Sequence, residues 1–267
     1  MNNTIFFSSI EDFNDPFETL FSIKSWNNDI LGEEYFYKRI FPHTALSRIE
    51  KQHHNEIINS RRNDPAKDIM LNHDLRNSIL AILRDLFGVA CFSSTYDELL
   101  MWSHYGDIGK GVCLIFDKEI LFNKNKEGYP KIEKVSYIEK LPSIDVHLTE
   151  TRIHFDTTPI ITSKRKNWSY EKEVRAFIDF GKLNPQIQSS SALLNGKDKS
   201  LRNLKFNSKA FKGLIFGHNC TVECRDNLKT ILRSNEYIDF DSLIFAEATI
   251  NTHTGQYLFK REQSDIN

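Results

Sequence analysis

The chain has 267 residues, 40% of them hydrophobic and 27% charged, ordinary values for a globular protein long enough to bury a sizeable core. Lys+Arg 35 against Asp+Glu 36 gives a net charge of -1, which excludes a global field that recruits nucleic acid or an acidic membrane and leaves a polyanion only local patches. No apolar run spans a bilayer and Met1-Asn2-Asn3-Thr4 has no secretory pattern, so Cys91, Cys113, Cys220 and Cys224 read as reduced thiols of a cytoplasmic protein.

In chain order, Ile5-Phe6-Phe7-Ser8-Ser9 reads as a short strand. Asn14-Asp15-Pro16-Phe17-Glu18 then carries a helix start: Asp15 as N-cap, Pro16 at the first helical position, and Glu18 placed to return a hydrogen bond. From about residue 29 to 88 the pattern is helical, with breaks at Pro42 and Asn63-Asp64-Pro65 and solvated faces at His53-His54 and Arg61-Arg62. Leu75, Ile79, Ile82, Leu83 and Leu86 fall at helical spacing, and Gly88 follows as a C-terminal cap. Val89 to Phe92 reads as a buried strand ended by Ser93-Ser94-Thr95. Thr95 with Glu98 forms a capping box for a short helix from Tyr96 to Tyr105, which Gly106 stops. Val112 to Phe116, apolar on both faces, reads as a central strand, and Lys131 to Ile138 as a further one.

Trp168-Ser169-Tyr170-Glu171-Lys172-Glu173-Val174-Arg175, running into Ala176-Phe177-Ile178-Asp179-Phe180, is the segment richest in chemistry. Strand alternation puts Glu171, Glu173 and Arg175 on one face and Val174, Ala176 and Ile178 on the other. Two carboxylates and a guanidinium then line one sheet edge, as a catalytic site or as a half-exposed strand of mutually paired charges. A long loop, roughly Asn184 to Asn203, follows, and Lys197, Lys199, Arg202, Lys205, Lys209 and Lys212 make its far side basic. Phe211 to Phe216 is a strand ending at Gly217, Thr221 to Ser234 a helix, and Ser242 to Ile250 with Gln256 to Arg261 a hairpin. His218-x-Cys220-x-x-x-Cys224 has no second ligand pair at zinc-site spacing, so no metal site is expected. The economical architecture is a single α+β domain over residues 1–267 with a mainly helical insertion at about 29–88.

Four landmarks in this order resemble the bacterial domain-of-unknown-function family 2971. They are Phe13 to Glu18; Cys91-Phe92-Ser93-Ser94 with Leu100 to Gly106 and Gly111-Val112-Cys113; Lys164 through Trp168 to Glu171-x-Glu173-Val174-Arg175; and Leu214-Ile215-Phe216-Gly217. The layout is similar to the ADP-ribosyltransferase fold, a mixed β-sheet core in which a strand ending in Ser or Tyr and a later strand bearing Glu-x-Glu or a lone Glu flank a nicotinamide pocket. The resemblance implies NAD as substrate, Glu173 as the catalytic glutamate, Glu171 as the auxiliary carboxylate, and Ser93, Ser94, Trp102, Tyr105 and Arg175 at the cofactor. It implies an unidentified protein or nucleic-acid acceptor, and by analogy a toxin or phage-defence role. On this reading Glu173→Gln removes transfer and leaves the fold intact.

The family's usual strand before the segment matching Ile5 to Ser9 is missing from this sequence. Three alternatives follow: a truncated sequence, substitution by Arg175 or Lys166, or loss of cofactor binding. A non-catalytic binding module of the same fold is the second functional reading. A metal-dependent nuclease using Asp15, Glu171 and Glu173 is the third.

Overall fold

The computed structural model describes residues 3–26, 65–122, 128–148, 153–183 and 202–262. Pro42, His53-His54, Arg61-Arg62, Lys197 and Lys199, with most of the expected long loop, lie outside them. In chain order the elements are β1 (Thr4–Phe6), β2 (Ser22–Trp26), α1 (Pro65–Leu86), β3 (Phe87–Ser93), α2 (Leu99–Tyr105), β4 (Val112–Phe116), β5 (Lys131–Lys134), β6 (Ser136–Ile138), β7 (Ser143–Leu148), β8 (Ile153–Phe155), α3 (Thr158–Ile161), β9 (Ser163–Arg165), β10 (Glu173–Asp179), α4 (Phe180–Leu183), β11 (Asn203–Lys205), β12 (Phe211–Phe216), α5 (Val222–Arg233), β13 (Ile244–Ile250) and β14 (Tyr257–Arg261). The fold is mixed α+β, with several small sheets and few helices. The chain forms two compact units, one of residues 1–8, 88–135 and 167–267 and the other of 9–87 and 136–166.

The first unit is built on a three-stranded sheet ordered β3-β10-β5 and a four-stranded sheet ordered β14-β13-β12-β4. Ala176 and Ile178 of β10 pack with Phe7, Ala90, Leu121, Phe122, Phe180 and Ala210 in one core. Gly88 sits in that packing rather than capping a helix: α1 ends at Leu86, and a Cβ at residue 88 would lie 2.5 Å from the Phe180 ring. Only glycine lets β3 pass so close to an aromatic ring. Arg202 is also drawn inward instead of joining a basic surface, its Nη1 donating to Phe7 O at 3.3 Å and its guanidinium lying 5.6 Å from the Phe180 ring centre.

One face of the four-stranded sheet holds Trp102 of α2 against Ile215, Ala246, Ala248 and Tyr257. The other packs Phe211, Leu214, Phe216, Cys220 and Leu243 near Leu228 and Leu232 of α5. Helix α5 begins as its sequence directs, the Thr221 hydroxyl accepting from Cys224 N–H. None of its residues is fully buried; it is seated partly by cations over rings, with Arg225 and Lys229 each 5.7 Å from the Phe216 centroid. Strand β4 is an edge strand, not a central one, and leaves Leu114 exposed; β12 takes the inner position, paired with β4 on one side and β13 on the other. Apolar composition misleads there because Cys113 and Ile115 pack against the core on one face of the sheet and Val112 and Phe116 against the core on the other, although β4 is the last strand in the order.

In the second unit, β2 pairs in parallel with β7, which pairs antiparallel with β8. Pro65 opens α1, and Leu75, Ile79 and Leu83 are its buried stripe, as their spacing predicts. Ile144, Val146, Ile160, Ile161 and Phe21 are buried in the same unit. A separate parallel pair joins β6 to β9, with Tyr137 opposite Lys164. The capping box of this unit belongs to Ser9 and Asp12, which close a 3₁₀ turn over Ile10–Asp12.

Candidate functional site

Strand β10 is central in its sheet and buried on both faces, so the charges it carries lie in a dry environment. Glu173 and Arg175 share a face, as alternation requires. Arg175 Nε donates to Glu173 Oε1 at 2.7 Å and Nη2 donates to Oε2 at 3.0 Å, a two-point fork between side chains only 1% and 5% exposed. Both oxygens of Glu173 are thereby tied to a cation.

Glu171 stands apart from this pair. The segment Lys166–Glu171 is a 3₁₀ turn rather than strand, and Lys172 sits at φ 44°, a left-handed backbone that breaks the alternation before β10 begins. The three charges expected on one strand face are therefore split: Glu173 and Arg175 together, Glu171 beyond a kink. The Ser93-Ser94 turn at the end of β3 fastens that kink. Ser93 Oγ donates to Glu171 O at 2.7 Å, while Ser94 N–H and Oγ both donate to Lys172 O at 3.0 and 2.9 Å. Ser93 Oγ also accepts from Thr95 N–H at 3.1 Å. The serines thus meet the carboxylate segment as expected, yet their hydroxyls hold backbone carbonyls.

The Glu171 carboxylate is buried, the residue being 3% exposed, and its Oε1 accepts the Tyr105 hydroxyl at 2.7 Å. Tyr105 ends α2, whose start differs from the sequence reading: Glu98 is the N-cap and accepts from Leu100 N–H, while Thr95 turns to Asp97. The Thr95 hydroxyl holds the Asp97 carboxyl below its ordinary range. Gly106 closes the helix, donating to Trp102 O. Trp102, expected at the cofactor, lies in the core of the four-stranded sheet and donates its indole N–H to Tyr96 O at 2.7 Å. The rings near Glu171 are others. His104 packs edge-on to Tyr105 and Tyr170, both at 6.3 Å, and Trp168 lies 6.1 Å from Tyr170.

The motif Asn14-Asp15-Pro16-Phe17-Glu18, in the second unit, forms a hydrogen-bonded turn and no helix. Asp15 Oδ1 accepts from Phe17 N–H at 2.9 Å, Glu18 N–H donates to Asp15 O at 3.0 Å, and Thr19 at φ 62° turns the chain away. With no helix there, Glu18 has no helix start to close. Its carboxylate pairs with the Lys164 ammonium at 3.0 Å, with both side chains almost wholly buried. Asp15 is 4% exposed and its Oδ2 has no hydrogen-bond partner. The sequence carries no sign of this burial, since Lys164 is bracketed by Ser163 and Arg165.

Near α5, Tyr257 hydroxyl and His218 Nδ1 are 2.8 Å apart, and burial pushes both the Tyr257 phenol and the Cys220 thiol upward from their ordinary values. Among the described residues no three His, Cys, Asp or Glu side chains gather as a metal site, and no helix is long and apolar enough to cross a membrane.

A family model described as "Protein of unknown function (DUF2971)" matches residues 101–176, the stretch from α2 to the Glu171-x-Glu173-Val174-Arg175 segment. The match supports the family resemblance for that part of the chain, and the Phe13 to Glu18, Cys91 to Ser94 and Leu214 to Gly217 landmarks fall outside it. No curated protein and no solved structure matches the chain.

Proposed function

We propose that the first unit carries a dinucleotide site at Glu171 and that the chain cleaves NAD and passes ADP-ribose to a macromolecule, in the manner of the ADP-ribosyltransferases its motifs resemble. The observation that carries this reading is that, at the junction of β3 and β10, the Ser93-Ser94 turn holds the backbone of Glu171 while Tyr105 donates to its buried carboxylate. Breaking the nicotinamide–ribose bond develops oxocarbenium charge, and an anion fixed beside the ribose stabilises it. Burial raises the worth of that anion because little water screens it. Glu171 suits the role better than Glu173, whose charge Arg175 already neutralises.

The test compares radiolabelled NAD turnover in the wild type, Glu171→Gln and Glu173→Gln, each at a temperature where circular dichroism shows it folded. Glu171→Gln should slow turnover by about 10²–10³-fold, as loss of one preorganised electrostatic contact does. Equal turnover by wild type and Glu171→Gln overturns the assignment. The sequestered Glu173–Arg175 pair favours one second reading, a binding module of this fold without turnover. Calorimetric NAD binding with no cleavage selects it.

A further inference from the structure

Glu171 is buried, while the tyrosine that hydrogen-bonds its carboxylate is itself exposed. The glutamate is 3% exposed, whereas Tyr105, whose hydroxyl donates to Glu171 Oε1 at 2.7 Å, is 54% exposed. The helix that carries Tyr105 is short. Of its residues Leu99–Tyr105, only Trp102 is buried, while Leu99 and Leu100 face solvent. Beyond Gly106, Asp107 and Ile108 adopt φ 47° and 54°, a conformation disfavoured for a β-branched side chain such as Ile108. A two-turn helix with one buried anchor belongs to the low-stability end of a fold, where local opening is cheap.

The contact has a definite chemistry. A phenol hydroxyl and an alcohol hydroxyl are interchangeable donors to a carboxylate oxygen, at the same 2.5–3.0 Å. We propose that Tyr105 is a built-in stand-in for a ligand hydroxyl: its phenol holds, on Glu171 Oε1, the place that a hydroxyl of a sugar-type diol takes, and the ring swings out as the ligand enters. The identification of that diol as the ribose of NAD rests on the function proposed above; the stand-in itself rests on the exposure difference and the 2.7 Å hydrogen bond. The consequence inverts the usual expectation for a residue touching the key carboxylate. A competitor for Glu171 weakens ligand binding, so its removal strengthens binding, whereas a stacking or positioning residue gives the opposite result.

Two measurements on wild type, Tyr105→Phe and Tyr105→Ala separate the stand-in from the NAD reading. In the first, no ligand is present: the protein is treated with a water-soluble carbodiimide and glycine ethyl ester, and modification of Glu171 is followed by peptide mass spectrometry. Tyr105→Ala should label several-fold faster than wild type, with Tyr105→Phe between them, because an aromatic cover freed of its hydrogen bond still shields in part. An unchanged rate in both variants overturns the proposal. In the second, NAD is titrated calorimetrically. Tyr105→Phe should bind about tenfold more tightly, the worth of one charge-assisted hydrogen bond of roughly 1.4 kcal/mol no longer competing. Weaker binding overturns the stand-in and makes Tyr105 a positioning residue. Faster labelling of Tyr105→Ala with no NAD binding to any of the three proteins upholds the cover over Glu171 and removes the NAD reading alone.

Discussion

Replacing Glu173 by glutamine tests the electrostatic core of this account, and the geometry reverses the outcome that strand alternation alone suggests. A glutamate on a solvent-lined strand face tolerates the amide with little loss of stability. Here the carboxylate grips a guanidinium that is 1% exposed, through bonds of 2.7 and 3.0 Å. Removing one partner of a buried ion pair costs about 3–5 kcal/mol, because the remaining charge stays desolvated. Glutamine keeps one acceptor for the fork, so we expect the lower end, about 3 kcal/mol, or a fall in Tm of roughly 6–12 °C for a domain of this size. Arg175→Met should cost a similar amount, since it strands the carboxylate. Glu173→Met with Arg175→Met together should cost far less than the two single changes summed, within about 1 kcal/mol of wild type, because two apolar chains of similar volume need no solvation. Urea denaturation followed by tryptophan fluorescence measures all five proteins: the wild type, Glu173→Gln, Glu173→Met, Arg175→Met and the double Met variant. A loss below about 1 kcal/mol for Glu173→Gln, or a double variant as unstable as the sum, refutes the buried fork as described. The same experiment sets a rule for activity assays: loss of turnover in Glu173→Gln counts as chemical only where the variant is shown to be folded.

Lys172→Gly relieves the left-handed backbone at φ 44°. The strain is worth about 1–2 kcal/mol and the extra chain entropy of glycine about 0.5–1 kcal/mol, so stability should hold or rise by up to about 1.5 kcal/mol, whereas Lys172→Val should clearly destabilise. Urea midpoints decide it, and a large loss on Lys172→Gly refutes the kink. At alkaline pH, Tyr257 should matter. Burial raises its folded pKa above the ordinary value of about 10, so its contribution to stability is fully present below that pH and is lost as pH rises through the folded pKa. Above about pH 10 the melting temperature of the wild type should therefore fall faster with pH than that of Tyr257→Phe if the phenol is the group responsible; parallel falls refute it.

Local signals were readable where the partners of a residue lie within a few positions. The Thr221 cap of α5, the stripe of Leu75, Ile79 and Leu83, and the alternation that sends Ala176 and Ile178 into the core all depend on neighbours in the sequence. The readings that changed depend on distant partners. Glu18 forms a buried pair with Lys164 at a turn where a helix start was expected, Gly88 is set by the Phe180 ring rather than by a helix end, and Val112 to Phe116 by the order of strands around β12. At the candidate site the presence of two carboxylates and two serines was legible, and their division of labour was not. Nothing within Glu171-Lys172-Glu173 announces that its middle residue is left-handed, because the carbonyls that fix it are held by serines from another strand.

That fastening explains why two glutamates one residue apart can have different fates. On a regular strand they would share a face and one environment, and the Arg175 fork would sit between two competing anions. Ser93 and Ser94 apply three hydrogen bonds to the carbonyls of Glu171 and Lys172, enough at about 0.5–1.5 kcal/mol each to offset the roughly 1–2 kcal/mol of a left-handed lysine. Glu173 is then committed to Arg175, and Glu171 is turned to Tyr105, whose ring reaches solvent. If the serines are the cause, Ser93→Ala with Ser94→Ala should weaken the Tyr105–Glu171 contact without touching either side chain. Carbodiimide labelling of Glu171 should rise in the double variant, while the Glu173–Arg175 fork, held by its own two hydrogen bonds, should keep the arginine signals of the folded protein in its nuclear magnetic resonance spectrum. Unchanged labelling would show that Glu171 is held by its side-chain contacts alone and that the Ser93-Ser94 turn is no part of the site.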